Sequence, residues 1–405
     1  MTRGANIGHD REMSRRRAPL IAAILAVVLG VVAVTGATLS AAAVHASGAS
    51  ASTITLQIPK RYTPKGTNGG TDDYRCFLLP TPASVTSDQV ITGVNVKPDN
   101  KPIVHHAILY LIPATSVPAA VALSGKDGRQ GWSCFGDVGL PIAGGPAGLF
   151  NYQQNAPWLA AWAPGAKAQT FPAGTGMKWP VGARLVLQMH YNLLAGRGTD
   201  QTKVVVNAVP DDGSLTALHT MLLLAPVELA CPKGVKGKLC NRTASVAEMV
   251  KRSNSDAGFL ATDLNYLCND RKIHPRLTTT CTWPTQQSIT IWAVAPHMHL
   301  LGKSLSVDVG VNTNSPTRLL TVKTWNFDDQ EAVKLAQPLT VTAGTGLRIT
   351  CTHNPKLRQL LPALRKLPPR YVTWGDGSSD EMCLSMIIYS LPPVPSPTPS
   401  ATATP

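Results

Sequence analysis

The sequence predicts an all-β protein made of two antiparallel β-sandwich domains. Three observations carry that expectation. The chain has 405 residues, more than one ordinary core and enough for two. Glycine and proline supply 33 residues each while only 15% of residues are charged, a turn-rich composition unlike that of helical bundles or coiled coils. The apolar residues alternate in short runs instead of recurring at helical spacing.

Taken in order, residues 1–46 read as a targeting segment. Arg15, Arg16 and Arg17 precede an apolar stretch from Ala18 to about Thr35, and Val44-His45-Ala46 offers small residues of the kind a signal peptidase reads. The stretch is also long enough to span a bilayer, so either a cleaved export signal or an uncleaved membrane anchor satisfies it. Both place the body outside the cytoplasm, secreted or membrane-anchored. Strands are then expected at Thr53 to Ile58, Val90 to Val96, Val104 to Ile112, Arg184 to Leu193 and Lys203 to Val209. A second series runs at Ser288 to Ala295, Ser304 to Val311, Thr317 to Thr324, Leu339 to Val341, Leu347 to Thr352 and Met382 to Ser390. Gly, Pro, Asn and Asp clusters separate them, as in sandwiches. Only Thr243 to Arg252 and Leu357 to Lys366 read as helices. Ala195-Gly196-Arg197-Gly198-Thr199-Asp200 and Pro210-Asp211-Asp212-Gly213 break the strand pattern, which puts a seam near 200 to 215 and domains at 52–205 and 206–390. Residues 391–405, LPPVPSPTPSATATP, form a Pro/Ser/Thr-rich disordered tail with nothing to build a core.

Lys and Arg outnumber Asp and Glu by 37 to 23, a formal charge of +14, but the excess is scattered. Without clustered cations and interleaved aromatic residues, a nucleic-acid partner is not expected. Eight cysteines, an even number behind an export signal, point to disulfides, and none has the two-residue spacing of a zinc knuckle or redox centre.

The chemistry lies in the histidines. His105 and His106 stand in KPIVHHAILYL, His190 in RLVLQMHYNLL, and His297 and His299 in VAPHMHLLGKSLSV. On one strand, residues i and i+2 share a face, so His297 and His299 can converge on one ion. Adjacent His105 and His106 point oppositely in a regular strand, so joint binding requires a bulge. His190 alternates with Leu185, Leu187, Met189 and Tyr191, which puts it on the face turned away from its own core. Taken singly, each of these has a plain structural explanation; five ligand-type histidines in three strand contexts favour a metal. His219, His274 and His353 have no clustered partner and receive no role.

These clusters and WGDGSSDEMCLSMIIYS, residues 374–390, are similar to motifs of the copper type II, ascorbate-dependent monooxygenases, the peptidylglycine alpha-hydroxylating and dopamine beta-hydroxylating family. The resemblance spans about residues 52–390, with the HH pair, LQMHY, PHMHLLGK and DEMC in the family's order. It implies two jelly-roll-like sandwich domains, each with one copper site facing an interdomain cleft. His105, His106 and His190 match the electron-supplying site, and His297, His299 and Met382 the site where oxygen and substrate react. A thioether is a soft, neutral ligand that favours Cu(I), in keeping with that assignment. The resemblance also pairs Cys76 with Cys134 and Cys351 with Cys383. The segment from Cys231 to Cys281 is an insertion relative to the animal enzymes, for which Cys231 with Cys240 and Cys268 with Cys281 are the expected pairs.

The chain departs from the peptide-amidating branch where that branch holds a substrate carboxylate. Ala295, Leu384 and Met386 occupy the positions of its Arg, Asn and Tyr. A buried carboxylate without partners is strongly disfavoured, so the expected substrate is a small neutral or apolar C–H donor. The expected activity is hydroxylation with O2, two coppers per chain, and ascorbate or another reductant as co-substrate. Two other classes fit parts of the sequence: an exported copper-binding or electron-transfer protein, which turnover of oxygen into product would separate, and a sandwich binding module, which would lack copper affinity.

Overall fold

The computed structural model describes residues 51–66, 71–134, 138–140, 156–194, 196–253, 256–377 and 379–392. The described residues fall within one compact unit, and residues 1–48 and the tail beyond 392 lie outside them. The architecture is all-β, with antiparallel sheets and few helices, as the alternation predicts. No helix among the described residues is long and apolar enough to cross a membrane.

A five-stranded sheet runs Trp132–Ser133, Asp72–Leu78, Arg184–Asn192, Val104–Ile112, Trp158–Trp162. Its three central strands are buried on both faces because both are covered. Leu109, Leu185, Leu187 and Tyr191 enter the large core beneath it, while Ile108, Tyr110, Val186 and Trp132 enter a smaller cluster on the other side. That second cover corrects the expectation for His190. Its strand face is the far one from the main core, as the alternation requires, but the ring is wholly buried there.

The nine-stranded sheet runs Ser52–Gln57, Lys203–Pro210, Gln89–Lys97, Thr175–Trp179, Thr216–Leu224, Leu384–Ser390, Ile289–His297, Val333–Val341, with Gln169–Thr170 also on Gln89–Lys97. It carries residues from both sides of position 205. The junction is a short parallel pairing of Thr216 with Thr175 and Ala217 with Gly176. Gly176 is required by close packing: a Cβ there would lie 2.4 Å from Val90 Cγ1 and 2.7 Å from the Ile91 carbonyl oxygen. The strand Leu384–Ser390 serves two cores, with Met386 and Ile388 in the one rich in N-terminal residues and Leu384 and Ile387 in the other. A four-stranded sheet, Thr278–Pro284, Gly346–His353, Gly302–Val309, Thr317–Val322, covers the second core.

The segment from Cys231 to Cys281 contains two helices, Arg242–Ser253 and Asp256–Cys268. The second was not expected, because its apolar residues follow no single face. The helix expected over 357–366 is one turn, Leu357–Leu360. Pro362 explains the stop, since it lacks an N–H and disfavours helical geometry in Leu361 before it. Four disulfides join Cys76–Cys134, Cys231–Cys240, Cys268–Cys281 and Cys351–Cys383, the pairs named above. Bridges of this number suit an oxidising, extracytoplasmic compartment.

Candidate metal centre

The strand Val104–Ile112 carries the HH pair, and its register against Arg184–Asn192 slips there: Val104 pairs with Tyr191 but His106 with His190. His105 is the extra residue of this bulge, which turns two adjacent side chains to one place. The Nδ1 atoms of His105 and His106 lie 3.3 Å apart, as do those of His106 and His190. Nitrogens bound to one ion at about 2.0 Å in tetrahedral directions stand about 3.3 Å apart, so this spacing fits a metal. Together the three rings offer ligand atoms all within 4.8 Å of one another.

His190 is held on its other side. Its Nε2 is 2.7 Å from Asp72 Oδ1, which fixes the proton on Nε2 and leaves the Nδ1 lone pair for the cluster. Tyr74 stacks on the His190 ring at 3.9 Å between centroids, and its hydroxyl donates to the carbonyl oxygen of Asp376. Burial, reinforced by the neighbouring histidines, holds His105 and His106 well below the usual imidazole pKa. His190 is lowered too, by burial, with Asp72 opposing. All three are therefore neutral at physiological pH, the form that binds metal.

The second set is built differently. His297 ends the strand Ile289–His297, whereas His299 follows it in a turn, so the HxH pair straddles the strand end. Their ring centroids are 5.3 Å apart. His297 Nδ1 lies 2.7 Å from Gln330 Oε1, and burial and His299 lower its pKa to about 3. His299 Nδ1 lies 3.3 Å from the Asp380 carbonyl, while its Nε2 is buried without a hydrogen-bond partner. A buried polar atom left this way is costly unless something binds it, and an ion answers the need. Met382, 6% exposed, precedes the strand Leu384–Ser390, which corrects the expected strand from Met382 to Ser390.

Glu381, within DEMC but given no role from sequence, organises this set. It is wholly buried, and one oxygen, Oε2, accepts both the His299 N–H at 2.9 Å and the Met382 N–H at 3.0 Å. Oε1 accepts the Leu301 N–H at 2.7 Å. Burial alone would raise its pKa, but His353 and His299 outweigh that and lower it. His353, likewise passed over, approaches Glu381 Oε2 at 3.4 Å. The signal available was an acidic residue directly before Met382 in an apolar strand context. Asp72, Tyr74, Asp376 and Gln330 left no comparable trace, because their partners are distant in sequence. The helix Arg242–Ser253 holds the same loop: Arg252 grips Asp380 at 2.9 and 3.1 Å.

The two sets face each other. Ring centroids of His105 and His299 are 6.2 Å apart, as are those of His106 and His297. Of the three positions expected at the substrate, Ala295 pairs with Met386 and Leu384 with His297 across adjacent strands. Leu384 and Met386 are almost fully buried.

An all-β chain with two facing imidazole sets has the donor atoms of a transition-metal protein, and imidazole suits zinc, copper or iron. Residues 255–398 match the C-terminal domain of the copper type II ascorbate-dependent monooxygenases. Among solved structures, the major capsid protein P2 of bacteriophage PM2 is similar at 9% identity and a TM-score of 0.32, over 84% of this chain and 97% of that one. Allantoicase is similar at 10% identity and 0.18, over 78% and 81%, and a Paenibacillus xanthan lyase at 11% and 0.19, over 85% and 25%. Likenesses at these scores carry no functional argument.

Proposed function

We propose that the chain hydroxylates a C–H bond of a small neutral or apolar molecule, using O2 and an external reductant such as ascorbate. Copper at the two sets supplies the redox chemistry: one oxygen atom enters the substrate, and the other leaves as water with two electrons and two protons. His105, His106 and His190 would hold one copper, with Asp72 orienting His190. His297, His299 and Met382 would hold the other. Glu381 suspends the backbones of His299 and Met382 from one oxygen, which keeps an imidazole and a thioether in fixed relation. In this reading the chain divides at about 205, residues 52–205 carrying the first set and 206–390 the second, and the leader takes the protein out of the cytoplasm, free or membrane-attached.

The observation that carries the reading is the convergence of three Nδ1 atoms opposite a second set whose His299 Nε2 is buried and unpartnered. Ala295, Leu384 and Met386 support an uncharged substrate, because none can pair with a carboxylate. The test is reconstitution with copper, followed by ascorbate, oxygen and a panel of candidate substrates. Two coppers per chain are expected, with one lost when His105 and His106 are both changed to Ala. Copper binding without any oxygenated product would favour the electron-transfer alternative, and retention of both coppers in the double variant would break the three-histidine assignment.

A further inference from the structure

Residues 325–330, between the strands Thr317–Val322 and Val333–Val341, touch both histidine sets. The Trp325 indole donates to the His299 carbonyl at 3.0 Å. Gln330 uses both ends of its amide: Nε2 donates to the Phe327 carbonyl at 2.6 Å, leaving Oε1 to accept from His297 Nδ1 at 2.7 Å. That bond keeps the His297 proton on Nδ1 and turns the Nε2 lone pair outward. Phe327 reaches the other set, its ring 5.0 Å from that of His105. The far side of this segment rests on the N-terminal half of the chain. A Cβ on Gly165 would lie 2.1 Å from the Asp328 carbonyl oxygen, and Lys334 Nζ meets Thr170 Oγ1 at 3.1 Å. Glu331 and Lys167 pair at 3.2 Å on the same margin, an exposed contact of small weight.

We propose that residues 325–330 form a strap that positions both histidine sets together, Gln330 acting on His297 and Phe327 on His105, with the absent side chain of Gly165 setting how closely the strap seats. The proposal deepens the copper reading but does not need copper for its test. These are positioning residues, acting through the imidazoles.

The test compares two glycine variants. Gly165 has φ +84° and Gly174 has φ +74°, so alanine strains both backbones alike. At Gly174, however, a Cβ meets nothing within 4 Å. Imidazole nitrogen and carbon NMR signals are read in the metal-free proteins. Gly165→Ala should shift the His105 ring signals and give His297 a mixture of tautomers, whereas Gly174→Ala should match the wild type at both rings despite a similar loss of melting temperature. Phe327→Ala should reproduce the His105 shift alone, and Gln330→Leu the His297 change alone. Gly165→Ala spectra identical to those of Gly174→Ala at both rings would overturn the strap, as would a Phe327→Ala variant with unmoved His105 signals. Copper titration is the separate arm: about tenfold or greater weakening at His297 and His299 is expected in Gly165→Ala. A wild type with ordered imidazoles but no copper affinity would reject the copper reading while leaving the strap supported.

Discussion

At the scale of single residues, Met382 separates a structural role from a chemical one. Met382→Ile keeps an apolar side chain of similar size, so a purely structural methionine would cost less than about 1.5 kcal/mol and leave activity intact. As a copper ligand its loss removes the only soft donor, and turnover should collapse while copper at His105, His106 and His190 persists. Turnover and melting temperature measured on the same variant decide the matter. The depressed histidines make a second residue-scale prediction. His105, His106, His190 and His297 all have folded-state pKa values below the unfolded value of about 6.5. Below pH 6.5 the unfolded chain therefore binds protons that the folded chain refuses, and stability falls with pH at about 1 kcal/mol per unit for each such histidine. For His297 the window extends down to about pH 3. Urea titrations of copper-free protein at pH 7, 6 and 5 should show that decline, and a flat profile would contradict the burial of these rings. The clustering of the five histidines was legible in sequence because each sits in a short pattern. Glu381 was not, since its function is to accept N–H groups of His299 and Leu301 some 80 residues away.

At the scale of elements, alternation revealed most strands, and the adjacency of His105 and His106 revealed the bulge. Two-residue strands such as Trp132–Ser133 carry no period and could not be read. The helix Asp256–Cys268 failed for another reason: tertiary cover and the Cys268–Cys281 bridge sustain it where amphipathic pattern does not. Its partner Arg242–Ser253 matters to the site through Arg252. Asp380 is 3% exposed, and Arg252→Leu would leave that carboxylate with only the longer approach of Arg370 Nη1 at 4.0 Å. A buried charge stripped of its main partner costs about 3 kcal/mol. Since Asp380 adjoins Glu381, copper at His297, His299 and Met382 should weaken in this variant before copper at the first set does. Equal weakening at both sets, measured by competition with a chelator, would assign Arg252 a global role instead.

At the scale of the whole molecule, the sequence pointed to two sandwiches, whereas the continuity of the nine-stranded sheet past residue 205 was invisible to it. Pairing between strands far apart in the chain leaves no local mark. Leu218, Ala293, Met386 and Ile388 are buried in the core that N-terminal strands dominate. A fragment of residues 206–392 would expose them as an apolar patch, and it should aggregate or oligomerise on expression, while co-expression with residues 49–205 should restore solubility. A monomeric, copper-binding 206–392 fragment would show that the halves are independent.

The strand that serves both cores also governs the order in which the protein can be finished. Leu384–Ser390 lies between Thr216–Leu224 and Ile289–His297, and among the described strands it comes last in chain order. Until this strand has been made, both cores stand open, and Glu381 has not yet reached the His299 N–H that it accepts. Closure of both cores thus waits for this strand, and a nascent chain stalled before residue 390 carries exposed apolar surface on two fronts, a substrate for chaperones and proteases. Premature termination inside this strand is consequently far more damaging than loss of the proline-rich residues beyond it.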